Sequence, residues 1–221
     1  IVIPYTPRPL QREVHNSLKR FNVLVCHRRF GKSVLAINEL IRTAIKKNNQ
    51  KCAFIAPTYR QGKSIAWEYL KIYTKPLMYL GGNKNETELK IELFNGSTLQ
   101  RFGADHPDSL RGMGYHGVVM DEFAIMAPRT WTEIIRPAVA DTMGWVMFIG
   151  TPMGHNQFWE VYDFAQRGQK NWFAKMYRAS ETNVVPDEEL KDAQSIMTEE
   201  QYNQEFECSF TAAVSGSYFG K

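Results

Sequence analysis

The chain has 221 residues, 43% of them hydrophobic and 13% aromatic, and a formal net charge of +4. This composition is typical of a folded domain with a buried core and excludes a disordered chain, and the short apolar runs fall well below the ~20 residues of a membrane-spanning helix, so we expect no membrane partner. Three scattered cysteines without CxxC spacing argue against a disulfide framework and a zinc site, and they favour a reducing cytosol.

Strand and helix patterns alternate along the chain, which predicts an α/β fold with a mainly parallel sheet flanked by helices. The expected strands are Phe21–His27, Cys52–Ala56, Gly117–Met120, Trp145–Gly150 and Trp172–Ala179. Asn95-Gly96 predicts a hairpin between residues 88–94 and 98–102. The expected helices are Lys32–Lys47, Gln61–Tyr79, Trp131–Ala140 and two polar helices within Pro186–Cys208.

The first strand and helix enclose a candidate P-loop. Such a loop wraps a phosphate in backbone N–H groups at a helix N-terminus, while a lysine reaches the outer phosphates and a hydroxyl binds Mg²⁺. Lys32 and Ser33 supply these two groups, and Cys26 replaces the usual first glycine, so we expect it only to pack. The residues expected to contact the nucleotide are His27, Arg28, Arg29, Phe30, Gly31, Lys32 and Ser33.

Three other positions fit the same site. Gln11 precedes the first strand, where its amide can read an adenine edge and select ATP. Asp121 and Glu122 follow a buried strand, so Asp121 is expected to complete the Mg²⁺ shell with Ser33, and Glu122 to deprotonate the attacking water. Thr151 follows the next strand and is expected to sense the γ-phosphate. An ordinary surface turn explains the acidic pair less well, and Thr151 can also simply begin a turn before a proline.

Together these segments resemble the ATPase domain of bacteriophage large terminase subunits, the motors that package DNA. The resemblance covers nearly the whole chain and rests on Gln11, HRRFGKS without its leading glycine, APTYRQ at 56–61, DSLRGMGYHGVVMDE at 108–122, IGTP at 149–152 and an acidic region leading to YNQEFECSF. It implies a P-loop NTPase fold of the RecA-like (ASCE) type with a small C-terminal lid, and ATP and Mg²⁺ as cofactors.

The resemblance also implies roles for arginines. Arg28 matches an arginine that such terminases carry inside the P-loop, where it can follow the γ-phosphate. Arg29 is expected to pair with an acid or face solvent. Arg111 is the candidate arginine finger for a neighbouring subunit's ATP, with Arg101 in reserve, although Arg111 can instead pair with Asp105 or Asp108. The candidates for DNA contacts are Arg60, Lys63, Lys84 and Arg101.

The same resemblance implies the partners and the domain plan. We expect double-stranded DNA held through its backbone, a portal protein, a small terminase subunit and a homo-oligomeric ring, commonly a pentamer, in the host cytoplasm and transiently on the procapsid. Residues 1–179 are expected to form the ATPase core, 180–212 a lid, and 213–221 the start of a linker to an absent nuclease domain, so nuclease activity is expected only of the full-length protein.

Two other functions remain open from the sequence. A superfamily 2-type helicase or translocase lobe shares the P-loop chemistry, but it needs a second RecA-like lobe with its own arginine finger. A nucleotide-gated binding module grips DNA or a partner and hardly turns over, and the intact Glu122 argues against it.

Overall fold

An eight-stranded sheet in the order β3-β4-β5-β2-β6-β7-β1-β8 forms the centre of the molecule. The structure is a computed structural model that describes residues 2–211, without the side chains of residues 60–64. The strands are β1 Phe21–Cys26, β2 Lys51–Ala56, β3 Asn83–Asn85, β4 Lys90–Glu92, β5 Thr98–Gly103, β6 Gly117–Asp121, β7 Trp145–Gly150 and β8 Trp172–Tyr177. The strands from β5 to β8 in this order run parallel, and β3 and β4 add an antiparallel edge. The expected α/β architecture is therefore confirmed.

Helices cover both faces of the sheet. One face carries α1 Pro9–Ser17, α2 Lys32–Lys46 and α3 Tyr59–Met78. The other carries a π-helical segment Thr130–Ile135 continued by α4 Arg136–Ala138, and α5 Gln157–Gln166. Because both faces are covered, a central strand such as β1 is buried along its whole length and has an apolar run instead of an alternating pattern.

The predicted elements differ from the structure mostly at their ends. The hairpin forms, with β4 pairing antiparallel to β5 and Gly96 at φ 74° in the turn. The expected strand Trp172–Ala179 is too long, because the chain leaves the sheet after Tyr177 and turns into α6 Ala179–Thr182. The expected helix Trp131–Ala140 is mainly π-helical and ends at Ala138, two residues earlier than predicted. Helices α1 and α5 and strand β3 were not predicted.

The acidic C-terminal region forms the short helices α6, α7 Asp187–Ile196 and α8 Glu199–Glu205. Ala179, Val185 and Leu190 form a small hydrophobic cluster with Phe206, separate from the two clusters that cover the sheet. The two predicted polar helices are therefore present. The predicted linker at 213–221 lies outside the described residues. Within the described part of the chain, no helix is long and apolar enough to cross a membrane.

Candidate active site

Three adjacent strands end at the same edge of the sheet, which we call the carboxyl edge. β6 ends at Asp121, β7 at Gly150 and β1 at Cys26, and these strands are neighbours in the order β6-β7-β1. Ligands of open α/β sheets bind outside the carboxyl ends of the strands. The predicted P-loop, the acidic pair and Thr151 therefore follow three neighbouring strand ends.

The loop between β1 and α2 has the backbone of an anion-binding loop. Arg29 and Gly31 are left-handed, at φ 67° and 87°, and such turns direct backbone N–H groups into a concavity for an anion. The positive end of the 15-residue helix α2 begins immediately after Gly31. Cys26 has no positive φ, because it is still the buried last residue of β1. The usual first glycine is therefore not required here.

Two side chains of the α1 region hold this loop from outside. The Arg8 guanidinium donates a hydrogen bond to the Phe30 carbonyl, and Gln11 Nε2 donates to the Gly31 carbonyl at 3.3 Å. The left-handed backbone of Gly31 favours glycine, and a Cβ atom there would also displace the Arg8 guanidinium, whose Nη2 it would approach to 2.5 Å. Two successive carbonyls are thus held on the outer side of the loop.

Gln11 is buried and its amide is already in use. Its oxygen accepts a hydrogen bond from the Arg8 backbone N–H at 3.0 Å, and its nitrogen is bound to Gly31. An amide has a second N–H and a second lone pair, so contact with an adenine remains chemically open. The predicted adenine-reading role of Gln11 stays a prediction.

Lys32 lies directly against the acidic pair. Its Nζ is 3.1 Å from Glu122 Oε1. Burial lowers the pKa of Lys32, but Glu122 and Asp121 outweigh burial and the pKa is raised. Glu122 has a left-handed backbone at φ 49°, which costs roughly 1–3 kcal/mol in a non-glycine residue and persists only where the surroundings hold it. A strained carboxylate beside the P-loop lysine is typical of a functional position.

Asp121 and Ser33 form an oxygen-rich pair beside Lys32. Burial and the neighbouring Glu122 raise the pKa of Asp121 to about 7, while Lys32, the hydrogen bond from the Glu122 N–H and the nearby Ser33 hydroxyl oppose that rise. Carboxylate and hydroxyl oxygens suit Mg²⁺, whose positive charge would favour the ionised carboxylate. A cavity of about 260 Å³ opens beside Ser33, Asp121 and Glu122. These residues fit a metal ion and a water molecule.

Thr151 begins the chain segment after β7. Its backbone N–H lies 3.5 Å from Glu122 Oε2, at the limit of a hydrogen bond. A displacement of the Glu122 side chain can therefore act directly on the Thr151 backbone, and the reverse.

The P-loop arginines do not contact Lys32 or the acidic pair in the described hydrogen bonds and ion pairs. Arg28 Nε donates to Glu205 Oε2 at 2.6 Å and Nη2 to Oε1 at 3.3 Å, and the Arg28 backbone N–H also bonds the Glu205 carbonyl. His27 is fully buried and bonds the Thr182 hydroxyl at 2.8 Å. Arg29 is exposed, as one of the two expectations had it. The first residues of the loop are thus bound to the C-terminal helices.

The two candidate finger arginines differ in accessibility. The Arg111 side chain is 52% exposed and Nε lies 3.1 Å from Asp108 Oδ1, the alternative pairing considered from the sequence. Arg101 is 1% exposed, and its guanidinium donates to the carbonyls of Thr58 and Tyr59. Of these two arginines, Arg111 alone can therefore reach another subunit without local unfolding.

The family model for the N-terminal part of the T4likevirus-type terminase large subunit matches residues 25–220. The chain belongs to this terminase family. Two curated terminase large subunits are similar: that of Escherichia phage T5 is 27% identical over 215 residues, covering 93% of this chain and 48% of the relative, and that of Thermus phage G20c is 26% identical over 184 residues, covering 76% and 38%. The chain thus spans less than half the length of these terminases.

Solved terminase structures share the fold. The large terminase ATPase domain of Thermus phage P74-26 is 22% identical with a TM-score of 0.86, covering 95% of this chain and 96% of that one. The large terminase of another thermophilic bacteriophage, solved in complex with ADP, is 15% identical with a TM-score of 0.71, covering 87% and 49%. Identities this low support the fold alone.

The sequence did not predict three residues that contact the P-loop of this terminase site, namely Arg8, Thr182 and Glu205. Arg8 could have been found, because it stands three residues before Gln11, the spacing at which a backbone N–H meets a side chain at a helix start. Thr182 and Glu205 lie 155 and 177 residues from their partners His27 and Arg28. No local pattern links residues so far apart.

Proposed function

We propose that this chain is the ATP-hydrolysing domain of a viral DNA-packaging motor. Its reaction is Mg²⁺-dependent hydrolysis of ATP, coupled to translocation of double-stranded DNA into a procapsid. The observation that carries this proposal is the contact of Lys32 with Glu122 at 3.1 Å, beside a cavity lined by Ser33 and Asp121. The large terminase of a thermophilic bacteriophage has been solved with ADP and with ATP-γ-S, which supports the binding of an adenine nucleotide.

The lysine–glutamate pair suggests how the site responds to nucleotide. A phosphate bound by Lys32 and the loop amides competes with Glu122 for the ammonium group. Glu122 then becomes free to orient and deprotonate a water, the role of a general base. Asp121 and Ser33 would hold Mg²⁺, which neutralises charge on the phosphates.

The loop and the C-terminal helices are proposed to move together. We assign residues 1–179 to the ATPase core and 180–212 to the lid, which has its own hydrophobic cluster around Leu190. In the present arrangement Arg28 is bound by Glu205. A γ-phosphate would compete with Glu205 for the guanidinium, and Thr151 would respond through Glu122 when that phosphate leaves. Nucleotide state would thereby be transmitted to the lid and to a nuclease domain of the longer protein.

Arg111 is proposed to act on the ATP of a neighbouring subunit in a homo-oligomeric ring. By family analogy this ring has five members, assembles on the portal protein and works with a small terminase subunit. Its exposed side chain supports action between subunits. Mixing Arg111→Ala with Glu122→Ala chains tests this, because each inactive chain supplies the group that the other lacks. Partial recovery of ATPase activity is expected, and no recovery under conditions where the wild type assembles contradicts the assignment.

The reaction itself is tested with two assays on one preparation. Phosphate release from ATP should require Mg²⁺ and stop with EDTA, and a labelled duplex with a single-stranded overhang should remain paired. Strand separation would instead support a helicase lobe. Turnover no higher than that of Glu122→Ala would support a binding module that hardly hydrolyses ATP.

A further inference from the structure

A second charged site lies at the opposite edge of the sheet, where the parallel strands begin. A cavity of about 520 Å³ opens there beside His116 and Trp145, which stand at the starts of β6 and β7. Its cations are Lys19, Arg42, Lys46 and Lys47, and we call it the basic cavity. Strands of five or six residues place it roughly 17–20 Å from the P-loop edge.

The positive charge of the basic cavity is not neutralised within the described part of the chain. Glu39 is the acid of its lining, and it is already bound to His15 at 2.8 Å and to Arg42 at 2.6 Å. Among the described residues, no carboxylate lies within 4.0 Å of three of the cations. These are Lys19, Lys46 and Lys47.

The lysines are also not needed to cap α2. Lysines often end a helix because they satisfy its last carbonyls. Here Asn95 Nδ2 donates to the carbonyls of Ala44 at 2.9 Å and of Lys47 at 3.1 Å, and Ser97 Oγ donates to Lys47 as well. The ammonium groups of Lys46 and Lys47 therefore remain available to a ligand.

Neighbouring cations lower the pKa of two groups at this edge, although burial is the larger cause for both. The pKa of His116 is lowered by burial, and then by Lys51 and Lys47. The pKa of Arg20 is lowered by burial, and then by Arg136. The cations of this edge thus repel further positive charge at two separate positions.

We propose that the basic cavity binds the phosphodiester backbone of double-stranded DNA. Lysine ammonium groups bind phosphates as point charges, and contacts to the DNA backbone read no bases. Arg42 is already occupied by Glu39, so the free charge of the cavity comes from its lysines. This inference rests on the proposed function, since it assigns a position to the DNA. Of the DNA candidates named from the sequence, Lys84 is paired with Glu86 and Arg101 is buried, while the side chains of Arg60 and Lys63 lie outside the described residues.

The test measures binding of a fluorescent 30-base-pair duplex of random sequence to the 221-residue chain at several salt concentrations. The cavity variant combines Lys19→Ala, Lys46→Ala and Lys47→Ala. The matched control removes three exposed cations elsewhere through Arg12→Ala, Lys84→Ala and Lys191→Ala. We expect the cavity variant to lose at least about tenfold in affinity at low salt, and the slope of log affinity against log salt to fall by about 3 because three phosphate contacts are lost.

The control variant should lose less than twofold, and DNA-free ATPase activity should be unchanged in both variants. Equal losses in the two variants would place the DNA elsewhere and overturn the proposal. The proposal is also overturned if the wild-type chain does not bind the duplex at low salt. It is overturned as well if the cavity variant keeps its DNA affinity, as expected of a cavity that binds an acidic protein instead. ATPase activity is measured separately, so a failure here is distinguishable from a failure of the proposed reaction.

Discussion

The two edges of the sheet carry charge in opposite ways. At the carboxyl edge, cations face acids: Lys32 lies 3.1 Å from Glu122, and Arg28 lies 2.6 Å from Glu205. At the edge where the strands begin, the lysines of the basic cavity have no carboxylate within 4.0 Å in the described part of the chain. Helix α2 joins both edges, because it begins with Lys32 and ends with Lys46.

This difference indicates two kinds of binding. Charges that are partly buried and held at short distances act individually, because the surrounding dielectric constant is low and salt screens them little. Exposed lysines act jointly, each contributes little, and salt screens all of them. Single substitutions should therefore be decisive at the carboxyl edge and weak at the other.

The two ends of α2 give the largest expected contrast. Lys32→Ala should abolish ATP binding and lower hydrolysis by at least about 10³-fold, because the phosphates lose the ammonium group that reaches them and developing charge is left unbalanced. Lys46→Ala is the matched control and should leave DNA-free hydrolysis within twofold. Fluorescent-nucleotide binding and phosphate release measure both. Unchanged nucleotide affinity in Lys32→Ala would refute the phosphate role.

Substitution of the acid that faces a cation at each edge should affect turnover at the carboxyl edge and the free energy of unfolding at the other edge. Glu122→Gln should retain ATP binding and lose about 10²–10⁴-fold in turnover, as expected for a missing general base. Glu39→Gln, buried between His15 and Arg42, should instead lower the free energy of unfolding by ~1–3 kcal/mol and affect turnover little. Steady-state kinetics and urea unfolding measure the two effects. Equal loss of turnover in both variants would remove the special role of Glu122.

The outer support of the P-loop should have a moderate effect. Arg8→Ala frees the Phe30 carbonyl and loosens the loop, so we expect about a tenfold rise in KM for ATP, in line with a hydrogen bond to a charged group, and a smaller change in kcat. Arg8→Lys should recover part of the loss. Arg12→Ala, one turn further along α1, is the control and should have no effect. A loss confined to kcat would show that Arg8 acts on the reaction and not on loop position.

Much of the carboxyl edge was predictable because its signals are local. Lys32 and Ser33 stand between a strand and a helix, and Asp121 and Glu122 directly follow four apolar residues, so strand ends alone predict their meeting. The predicted strand Trp145–Gly150 has the same bounds in the structure. These elements are specified by runs of apolar residues and by turn residues next to them.

What the sequence did not reveal depends on contacts between distant segments. The pairing of Arg28 with Glu205 joins residues 177 apart, and the guanidinium of Arg101 on β5 is bound by the carbonyls of Thr58 and Tyr59 at the start of α3. Three of the four cations of the basic cavity lie close together in the sequence, at Arg42, Lys46 and Lys47, but their meeting with Lys19 and with the starts of β6 and β7 depends on the fold. Residues 1–48 hold ten lysines and arginines against two acids, which is compatible with polyanion binding, but charge alone favours solvated helix faces and gives no position for a ligand.

Two histidines, one near each edge, give the smallest and most direct comparison. The pKa of each is lowered, mainly by burial, so each favours the neutral form and the protein loses their contribution to stability as pH falls below the unfolded value of about 6.5. The pKa of His116 is lowered further by Lys51 and Lys47, whose charges salt screens. Around His27, Glu207 raises the pKa while Lys32 and Arg8 lower it, so these contributions oppose each other. NMR titration at about 0.05 and about 0.5 M salt should therefore show the pKa of His116 rising toward its ordinary value while that of His27 changes less. Equal shifts at both histidines would mean that the surplus positive charge is not confined to the basic cavity.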